Sequence, residues 1–328
     1  MKAKIFFTIL IIIFTGIINT PELHAQSAEQ EAPALLVKRA PDPWITYYNG
    51  FYYFAATTGG RPSKGLTMRK SETLNGLADA NEKVVWKDGS PQRDSNYWAP
   101  EFFLLDGPNG RRWYGYFTGG KNSGNYRFTQ YLHVIESEGA DPMGPYSYKG
   151  KLIDRTGLDA TILQLNGKLY AVYSVWNIFQ EIAIKEMETP WQTRGFESVI
   201  SRPFYLWEFY GGPVNEAPAL LYHDDDIFII YSASSCGGPG YKLGILKYKG
   251  GDPLMFYSWE KSEEPFYKTD EPNNIYGPGH CCFFKDPEGQ DWICFHANDS
   301  ADGGCDSGRN AWAKRIFWDP DGMPLIEE

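Results

Sequence analysis

Cysteine is scarce in this chain, and its spacing argues against the commonest metal site that cysteine builds. Only five cysteines occur among 328 residues, and none forms a Cys-x-x-Cys pair, so a zinc site is not expected. Cys281 and Cys282 are neighbours and would face opposite sides of a strand. Cys236 and Cys305 lie in glycine-rich loops, and a bridge between them is left open. The odd count leaves at least one thiol free.

The chain also lacks an excess of positive charge. Its 31 Lys and Arg against 41 Asp and Glu give a formal net charge of −10, which argues against nucleic acid and anionic membranes as partners. After the N-terminal segment there is no apolar run long enough to span a bilayer, no low-complexity stretch and almost no helical periodicity. These absences favour one all-β domain without a membrane span.

The N-terminal segment has the pattern of a targeting sequence. Lys2 and Lys4 precede an apolar run from Ile5 to Ile18, and Leu23-His24-Ala25 is typical of a cleavage site. The pattern predicts a signal peptide over residues 1–25 and export to the periplasm or the outside. Residues 26–328 would then form a single domain, with residues 26–37 as a loose arm or a closing strand.

Aromatic residues are abundant, at 16% of the chain, and they occur in a pattern that returns five times. The copies are spaced 61, 56, 58 and 64 residues apart. Their anchor residues are Tyr53, Tyr114, Tyr170, Phe228 and Trp292. Repetition at this period, with aromatic strand pairs joined by turns such as Asn49-Gly50, predicts a five-bladed β-propeller.

Each copy also carries an ionisable side chain 11 to 13 residues before its anchor and a small or polar residue four after it. The ionisable residues are Asp42, Glu101, Asp159, Glu216 and His280, and the later ones are Thr57, Thr118, Ser174, Ser232 and His296. The first strand of every propeller blade lines the central channel, so the ionisable residues are expected to converge there. A single acid before a strand is usually a turn cap, but five in register favour a functional channel.

Several carboxyl groups in one poorly solvated channel would shift each other's pKa values. One carboxyl group can then stay protonated while another stays ionised. Glycoside hydrolysis needs such a pair: an acid for the leaving oxygen, and a carboxylate that activates water or attacks directly. The candidates are Asp42, Asp159 and Glu216. Glu101 is equally well explained as a structural or sugar-binding residue.

Five sequence segments together resemble glycoside hydrolase family 43, the five-bladed arabinofuranosidases, xylosidases and arabinanases. They are APDPWITYYNGFYYFAAT, YWAPEFFLL, LDATILQLNGKLYAVYS, EAPALLYHDDDIFIIYSAS and YGPGHCCFFKDPEGQDWICFHA. They extend over almost all of the chain after residue 25, in family order. The Gly-Pro-Gly-His element and the ending RNAWAKRIFWDPDGMP are most similar to the α-L-arabinofuranosidase branch.

The resemblance implies a role for each candidate acid. Asp42 would be the general base that activates water, Glu216 the general acid, and Asp159 the residue that orients Glu216 and keeps its pKa high. The family inverts anomeric configuration, which requires a base and an acid about 6.5–9.5 Å apart. His280 would help to hold a metal ion, often calcium, mainly through waters, although calcium prefers oxygen ligands. No organic cofactor is implied.

Aromatic residues near the channel mouth are candidates for stacking on sugar rings, although an aromatic in a propeller often belongs to the core. Trp44 follows Asp42 by two residues and should point to the same side of its strand. Trp98 leads into Glu101, and Trp176 lies in the loop after the third copy. Arg309 matches an arginine that could reach the substrate.

The function expected from this pattern is release of terminal α-L-arabinofuranose from plant cell-wall arabinan or arabinoxylan. A β-xylosidase or an endo-arabinanase of the same fold is an alternative, because the loops over the channel decide between exo and endo action. A non-catalytic sugar-binding propeller is the alternative of a different class. Cys281 and Cys282 stand where the family commonly has polar residues, and the Lys314-Arg315 pair also departs from its pattern.

Overall fold

The computed structural model describes residues 35–60, 62–122, 124–306 and 308–326. The expected signal peptide, residues 1–25, lies outside them. Within the described chain, no helix is both long and apolar enough to cross a membrane. Its one α-helix is the single turn Tyr126–Thr129, and its four 3₁₀ helices are Asn75–Leu77, Leu206–Phe209, Phe256–Ser258 and Glu271–Asn273.

β-Strands make up most of the ordered structure. In chain order they are β1 (Leu35–Val37), β2 (Trp44–Tyr48), β3 (Phe51–Ala55), β4 (Leu66–Ser71), β5 (Lys83–Trp86), β6 (Ser95–Gly107), β7 (Gly110–Gly120), β8 (Gln130–Ser137), β9 (Tyr146–Lys151), β10 (Leu158–Leu165), β11 (Lys168–Trp176), β12 (Gln180–Thr189), β13 (Gln192–Thr193), β14 (Ser198–Ser201), β15 (Asn215–His223), β16 (Asp226–Ala233), β17 (Lys242–Tyr248), β18 (Trp259–Lys261), β19 (Tyr276–Lys285), β20 (Asp291–Asn298), β21 (Asn310–Trp318) and β22 (Pro324–Ile326).

The strands form five antiparallel sheets, and these are the five predicted blades. Blades 1 to 4 are β2–β5, β6–β9, β10–β14 and β15–β18, and blade 5 is β19–β21 with β1 and β22. The first strands of the blades contact each other in the closed order β2, β6, β10, β15, β19 and back to β2. The five-bladed propeller is therefore confirmed.

The last blade is completed from the beginning of the described chain. β1 pairs antiparallel with β21, with Leu35 opposite Trp312 and Val37 opposite Ala311. The end of the lead-in, Leu35–Val37, is therefore a closing strand, whereas residues 26–34 of that expectation lie outside the described residues. This pairing joins both ends of the propeller and covers the edge of β21 that would otherwise be unpaired.

The turns within the blades follow the local sequence. Asn49 and Gly50 have φ angles of 49° and 83°, and Asn166 and Gly167 have 51° and 73°. Two consecutive residues with positive φ are what a two-residue hairpin of type I′ requires, and Asn-Gly adopts that conformation at little cost. The short links bring the first two strands of blades 1 and 3 into register.

The core lies between neighbouring sheets and is rich in aromatic side chains. Trp44 belongs to it: its side chain is 4% exposed and packs against Phe102 and Trp113 at centroid distances of 5.2 and 6.3 Å. The prediction that Trp44 stacks on sugar at the channel mouth is therefore wrong. Asp42 has a left-handed backbone, with φ of 54°, and this interrupts the alternation of side chains on which the prediction rested.

Candidate active site

The starts of the inner strands surround a cleft of about 530 Å³ to which every blade contributes side chains. Its lining residues include Asp42 and Thr57 from blade 1, Trp98 and Tyr126 from blade 2, Asp159, Trp176 and Gln180 from blade 3, Cys236, Glu216 and Tyr241 from blade 4, and His280, Cys305 and Arg309 from blade 5. Three of the predicted acids, Asp42, Asp159 and Glu216, thus meet in one cleft with the predicted His280.

One residue at the start of each inner strand has a left-handed backbone. These residues are Asp42, Ala99, Asp159, Ala217 and His280, with φ between 40° and 57°. The conformation costs a non-glycine residue about 1 kcal/mol or more and is rare in strands. Its recurrence in all five blades marks it as the device that turns each inner strand at the edge of the cleft.

Each of these backbone N–H groups donates a hydrogen bond to the side chain four residues after an aromatic anchor of the preceding blade. The pairs are Ala99 to Thr57 Oγ1 (2.8 Å), Asp159 to Thr118 Oγ1 (3.3 Å), Ala217 to Ser174 Oγ (3.1 Å), His280 to Ser232 Oγ (2.7 Å) and Asp42 to His296 Nδ1 (3.1 Å). We call these five contacts the inter-blade hydrogen bonds. They form a closed circle and explain why the repeat keeps a small or polar residue at this position.

The circle corrects the register expected for the five ionisable residues. Only Asp42, Asp159 and His280 occupy the left-handed position. Glu216 precedes it by one residue and Glu101 follows it by two. The distance from the aromatic anchor does not predict this difference, because the pairing of the first and second strands is irregular at this point in four of the five blades.

Glu101 does not reach the cleft. It lines a separate cavity of about 300 Å³ together with Trp44 and Thr161. The side chain is 6% exposed, and burial raises the pKa of Glu101 to about 8 against the effect of a hydrogen bond with Thr161. The prediction that Glu101 binds substrate in the same cleft as Asp42 is therefore wrong, and the structural alternative describes its place.

The Asp42 carboxyl group is held in its ionised form. Thr57 donates a hydrogen bond to Oδ2 at 2.5 Å, and Arg309 donates one to Oδ1 at 3.2 Å. Burial alone would raise the pKa of Asp42, but Arg309, His280 and His296 outweigh it and keep this pKa well below the usual range. A carboxylate in such surroundings is suited to act as a base.

The surroundings of the Glu216 carboxyl group raise its pKa, in contrast to those of Asp42. Burial and the nearby Asp42 raise the pKa of Glu216, while hydrogen bonds from Tyr241 and Gln180 and the charge of Arg309 act against the increase. Tyr241 donates to Oε1 at 2.9 Å and Gln180 Nε2 donates to Oε2 at 2.5 Å. A carboxyl group with a raised pKa can carry a proton near neutral pH.

Asp159 lies beside the strand that carries Glu216. Its Oδ2 accepts the backbone N–H of Ala217 at 3.2 Å, which ties it to the residue after Glu216. Burial, Glu216 and Asp42 all raise the pKa of Asp159 well above its usual value. Asp42 and the pair Asp159 and Glu216 therefore have pKa values shifted in opposite directions, which is the pattern expected of a base and an acid in one site.

Tyr241, which sequence reasoning did not single out, is fixed by two neighbours. Its ring stacks on His296 with a centroid distance of 5.7 Å and an interplanar angle of 12°. On its edge lies Gly279, where an added Cβ would come within 1.9 Å of the Tyr241 ring. The second glycine of the Gly-Pro-Gly-His element therefore leaves room for the tyrosine that contacts Glu216.

His280 does not belong to a metal centre built from protein side chains. Its Nδ1 lies 3.5 Å from Asp42 Oδ1, but among the described residues no group of three or more His, Cys, Asp or Glu could hold a metal ion. Calcium takes six to eight oxygen ligands, and Arg309 already supplies positive charge beside Asp42. A metal ion held at His280 mainly through waters therefore stays a prediction, and no step of the reaction is routed through it.

The remaining predicted residues line the cleft. Trp98 forms an edge-to-face pair with Tyr126 at 5.1 Å, and Trp176 and Arg309 lie on other sides of it. A disulfide between Cys236 and Cys305, which the sequence left open, joins the rims of blades 4 and 5. Cys281, Cys282 and Cys294 are free and buried, and Cys281 and Cys282 enter different parts of the core.

A family model described as glycosyl hydrolases family 43 matches residues 34–324. The chain belongs to glycosyl hydrolases family 43. This match spans every blade of the propeller, including the cleft with Asp42, Asp159 and Glu216.

Curated and solved proteins align with the chain over most of its length. It is 33% identical to an extracellular exo-α-(1→5)-L-arabinofuranosidase of Streptomyces avermitilis over 88% of the chain and 62% of that protein. A protein of the same name from Streptomyces chartreusis is 32% identical over 83% of the chain and 85% of its own length. The crystal structure of an α-L-arabinofuranosidase from Lactobacillus brevis superimposes with a TM-score of 0.82 at 30% identity, over 90% and 96% of the two chains. The chain thus spans less than two thirds of the S. avermitilis protein.

Proposed function

We propose that this family 43 member is an exported glycoside hydrolase that releases terminal α-L-arabinofuranose from arabinan or arabinoxylan with inversion. The main support for this proposal is that two carboxyl groups with opposite pKa shifts lie in one cleft: the pKa of Asp42 is lowered and that of Glu216 is raised. The names of the S. avermitilis, S. chartreusis and L. brevis proteins support the arabinofuranosyl group as substrate.

In this proposal Asp42 removes a proton from water, which attacks the anomeric carbon, and Glu216 gives its proton to the leaving glycosidic oxygen. Asp159 orients the strand of Glu216 through its hydrogen bond with the backbone N–H of Ala217. Arg309 keeps Asp42 ionised. Trp98 and Trp176 provide ring faces for the sugar.

Exo action is supported by the two Streptomyces relatives, which are named exo-α-(1→5)-L-arabinofuranosidases. Export is supported by the N-terminal pattern of residues 1–25 and by the relatives that are named extracellular.

The test is hydrolysis of an aryl α-L-arabinofuranoside beside an aryl β-D-xyloside by purified residues 26–328. We expect release of arabinose and little or no release of xylose. Release of xylose alone would replace the substrate assignment by the xylosidase alternative. Inactivity on both, together with cleavage of linear arabinan to oligosaccharides, would replace it by the endo-arabinanase alternative. Inactivity on all three would favour the sugar-binding propeller.

The anomeric configuration of the product tests inversion separately. Proton NMR of the first product formed from the aryl α-L-arabinofuranoside should show β-L-arabinofuranose before mutarotation. Initial appearance of the α-anomer would assign a retaining mechanism, in which a carboxylate attacks the sugar directly.

A further inference from the structure

The indole N–H of Trp176 is used within the protein and does not point to the sugar site alone. It donates a hydrogen bond to Gln180 Oε1 at 3.1 Å. We propose that Trp176 is a positioning residue that acts on Glu216 through Gln180, by fixing which end of the Gln180 amide faces the acid. This inference rests on the proposed role of Glu216.

The contact between the two residues is built into blade 3. Trp176 ends β11 and Gln180 begins β12, and they are paired directly across the hairpin. Gln180 Nε2 then donates to Glu216 Oε2 at 2.5 Å in blade 4. The three side chains thus form a continuous path from an indole at the cleft wall to the carboxyl group of Glu216.

The direction of the Gln180 amide matters for a general acid. An indole N–H is only a donor, so Gln180 must present its oxygen to Trp176 and its NH₂ group to Glu216. If the amide were reversed, its oxygen would accept the Glu216 proton and direct it away from the substrate. With the observed direction the amide donates only, and the acid proton stays available to the glycosidic oxygen.

The backbone of this hairpin is held from outside the cleft. Gln180 N–H donates to Pro213 O at 3.3 Å, which joins β12 to the segment that leads into Glu216. Arg155 Nη2 donates to Trp176 O at 2.7 Å, and Arg155 also pairs with Glu197 at 3.0 Å. These contacts persist when the side chains of Trp176 or Gln180 are changed, so variants should keep the hairpin in place.

Other groups that face Glu216 are the carboxyl groups of Asp42 and Asp159, the Arg309 guanidinium and the Tyr241 hydroxyl. Substitutions at Trp176 and Gln180 leave all four unchanged. Any change in the titration of Glu216 in these variants can therefore be traced to the amide hydrogen bond.

The experiment compares Trp176→Phe, Gln180→Met and the double variant on two arabinofuranosides. One carries a dinitrophenyl group, which departs without protonation, and the other is an arabinobioside, which needs the acid. We expect kcat on the arabinobioside to fall about tenfold or more in Gln180→Met, within the range that general acid catalysis provides. On the dinitrophenyl substrate kcat should stay within about twofold, because this leaving group needs no proton from Glu216.

The pH profile gives a second readout. The amide N–H stabilises the ionised carboxylate, so its removal in Gln180→Met should move the alkaline limb of kcat/KM to higher pH. As a single substitution, Trp176→Phe should lower kcat on the arabinobioside and shift the alkaline limb in the same directions, but by smaller amounts. In the Gln180→Met background it should cause no further change in kcat, because residues in one hydrogen-bond path are not additive.

Trp98→Phe is the matched control, since it removes an indole from the same cleft without touching Gln180. Any loss it causes should be equal for both leaving groups. An equal rise in KM for both substrates is what loss of stacking alone would cause. The inference is overturned if Trp176→Phe lowers kcat equally for both substrates or adds fully to the loss of kcat in Gln180→Met, since a residue that acts on the acid through Gln180 does neither. If the wild type cleaves no arabinofuranoside, the proposed function fails separately. In that case a ¹³C NMR titration of the Glu216 carboxyl group tests the inference: an unchanged titration curve in both Gln180→Met and Trp176→Phe would overturn it.

Discussion

At the scale of single residues, the proposed chemistry depends on two carboxyl groups whose surroundings differ. Asp42 is hydrogen-bonded to an arginine and lies beside two imidazoles, whereas Glu216 lies near Asp42 and accepts hydrogen bonds only from the neutral Tyr241 and Gln180. The neighbours explain why one side chain is suited to hold a charge and the other a proton. Neither property follows from the residue type alone.

Two variants distinguish the roles of these groups. Asp42→Ala should keep its fold and lose about a thousandfold or more of kcat on every substrate, because no group remains to activate water. Glu216→Ala should lose a similar factor on arabinobioside but much less on the dinitrophenyl arabinofuranoside. Steady-state kinetics on both substrates checks this, with circular dichroism as the control for folding. Full activity of Asp42→Ala on a polymer would remove Asp42 from the mechanism.

Glu101 leads to a prediction about stability instead of activity. Burial raises its pKa to about 8, so the folded chain keeps the proton at pH values where the unfolded chain has lost it. Stability should therefore fall as the pH rises from about 4.5 towards 8. Glu101→Gln removes this dependence and should stabilise the protein by about 3 kcal/mol at pH 7 and far less at pH 5.

Urea unfolding at pH 5 and pH 7 measures the difference for Glu101→Gln. Activity on the aryl arabinofuranoside should be retained, because Glu101 lies outside the cleft. A gain of the same size at both pH values, or a large loss of activity, would contradict this account.

At the scale of elements, the inter-blade hydrogen bonds join each inner strand to the second strand of the preceding blade. They provide acceptors for backbone N–H groups that point out of their own sheet because the residue has a left-handed backbone conformation. In blade 5 the acceptor is His296, whose pKa burial and Arg309 lower to about 3, so that its imidazole is neutral and can accept.

Ser174→Ala tests these contacts in a blade where the acceptor touches no catalytic carboxyl group directly. It leaves the Ala217 N–H with only Asp159 as a partner and should cost about 1 kcal/mol of unfolding free energy. Thermal unfolding measures the loss. Ser147→Ala, in a strand at the outer edge of blade 2, is the control and should change stability by less than about 0.5 kcal/mol. Equal effects in the two variants would argue against a structural role for the circle.

At the scale of the whole molecule, a closing strand and a disulfide hold the circle of blades together. β1 completes blade 5, and the Cys236–Cys305 bridge closes 69 residues across the rims of blades 4 and 5. Both connect segments that are distant in sequence, and such links restrict the unfolded chain most. The bridge also stands four residues before Arg309, which contacts Asp42.

Removing the bridge should therefore affect both stability and the cleft. The Cys236→Ser and Cys305→Ser double variant is expected to lose up to about 4 kcal/mol of stability and to show a lower kcat/KM. Unfolding and kinetics with and without a reductant make the comparison. The reductant should affect the wild type in the same direction and leave the double variant unchanged. If reduction changes neither property of the wild type, the bridge has no role in holding the rim.

The sequence alone determined the fold, because it repeats an aromatic strand pair with its turn five times, at the spacing of one blade. It also determined that Asp42, Asp159 and Glu216 would meet, since equivalent ends of inner strands converge on one axis. Only the tertiary structure decided that Glu101 and Trp44 lie elsewhere, because a left-handed residue breaks the alternation of the strands. It alone revealed that Gln180 and Tyr241 contact Glu216 and that His296 accepts the backbone N–H of Asp42 from another blade. Contacts between blades depend on how sheets pack, and no local pattern encodes that packing.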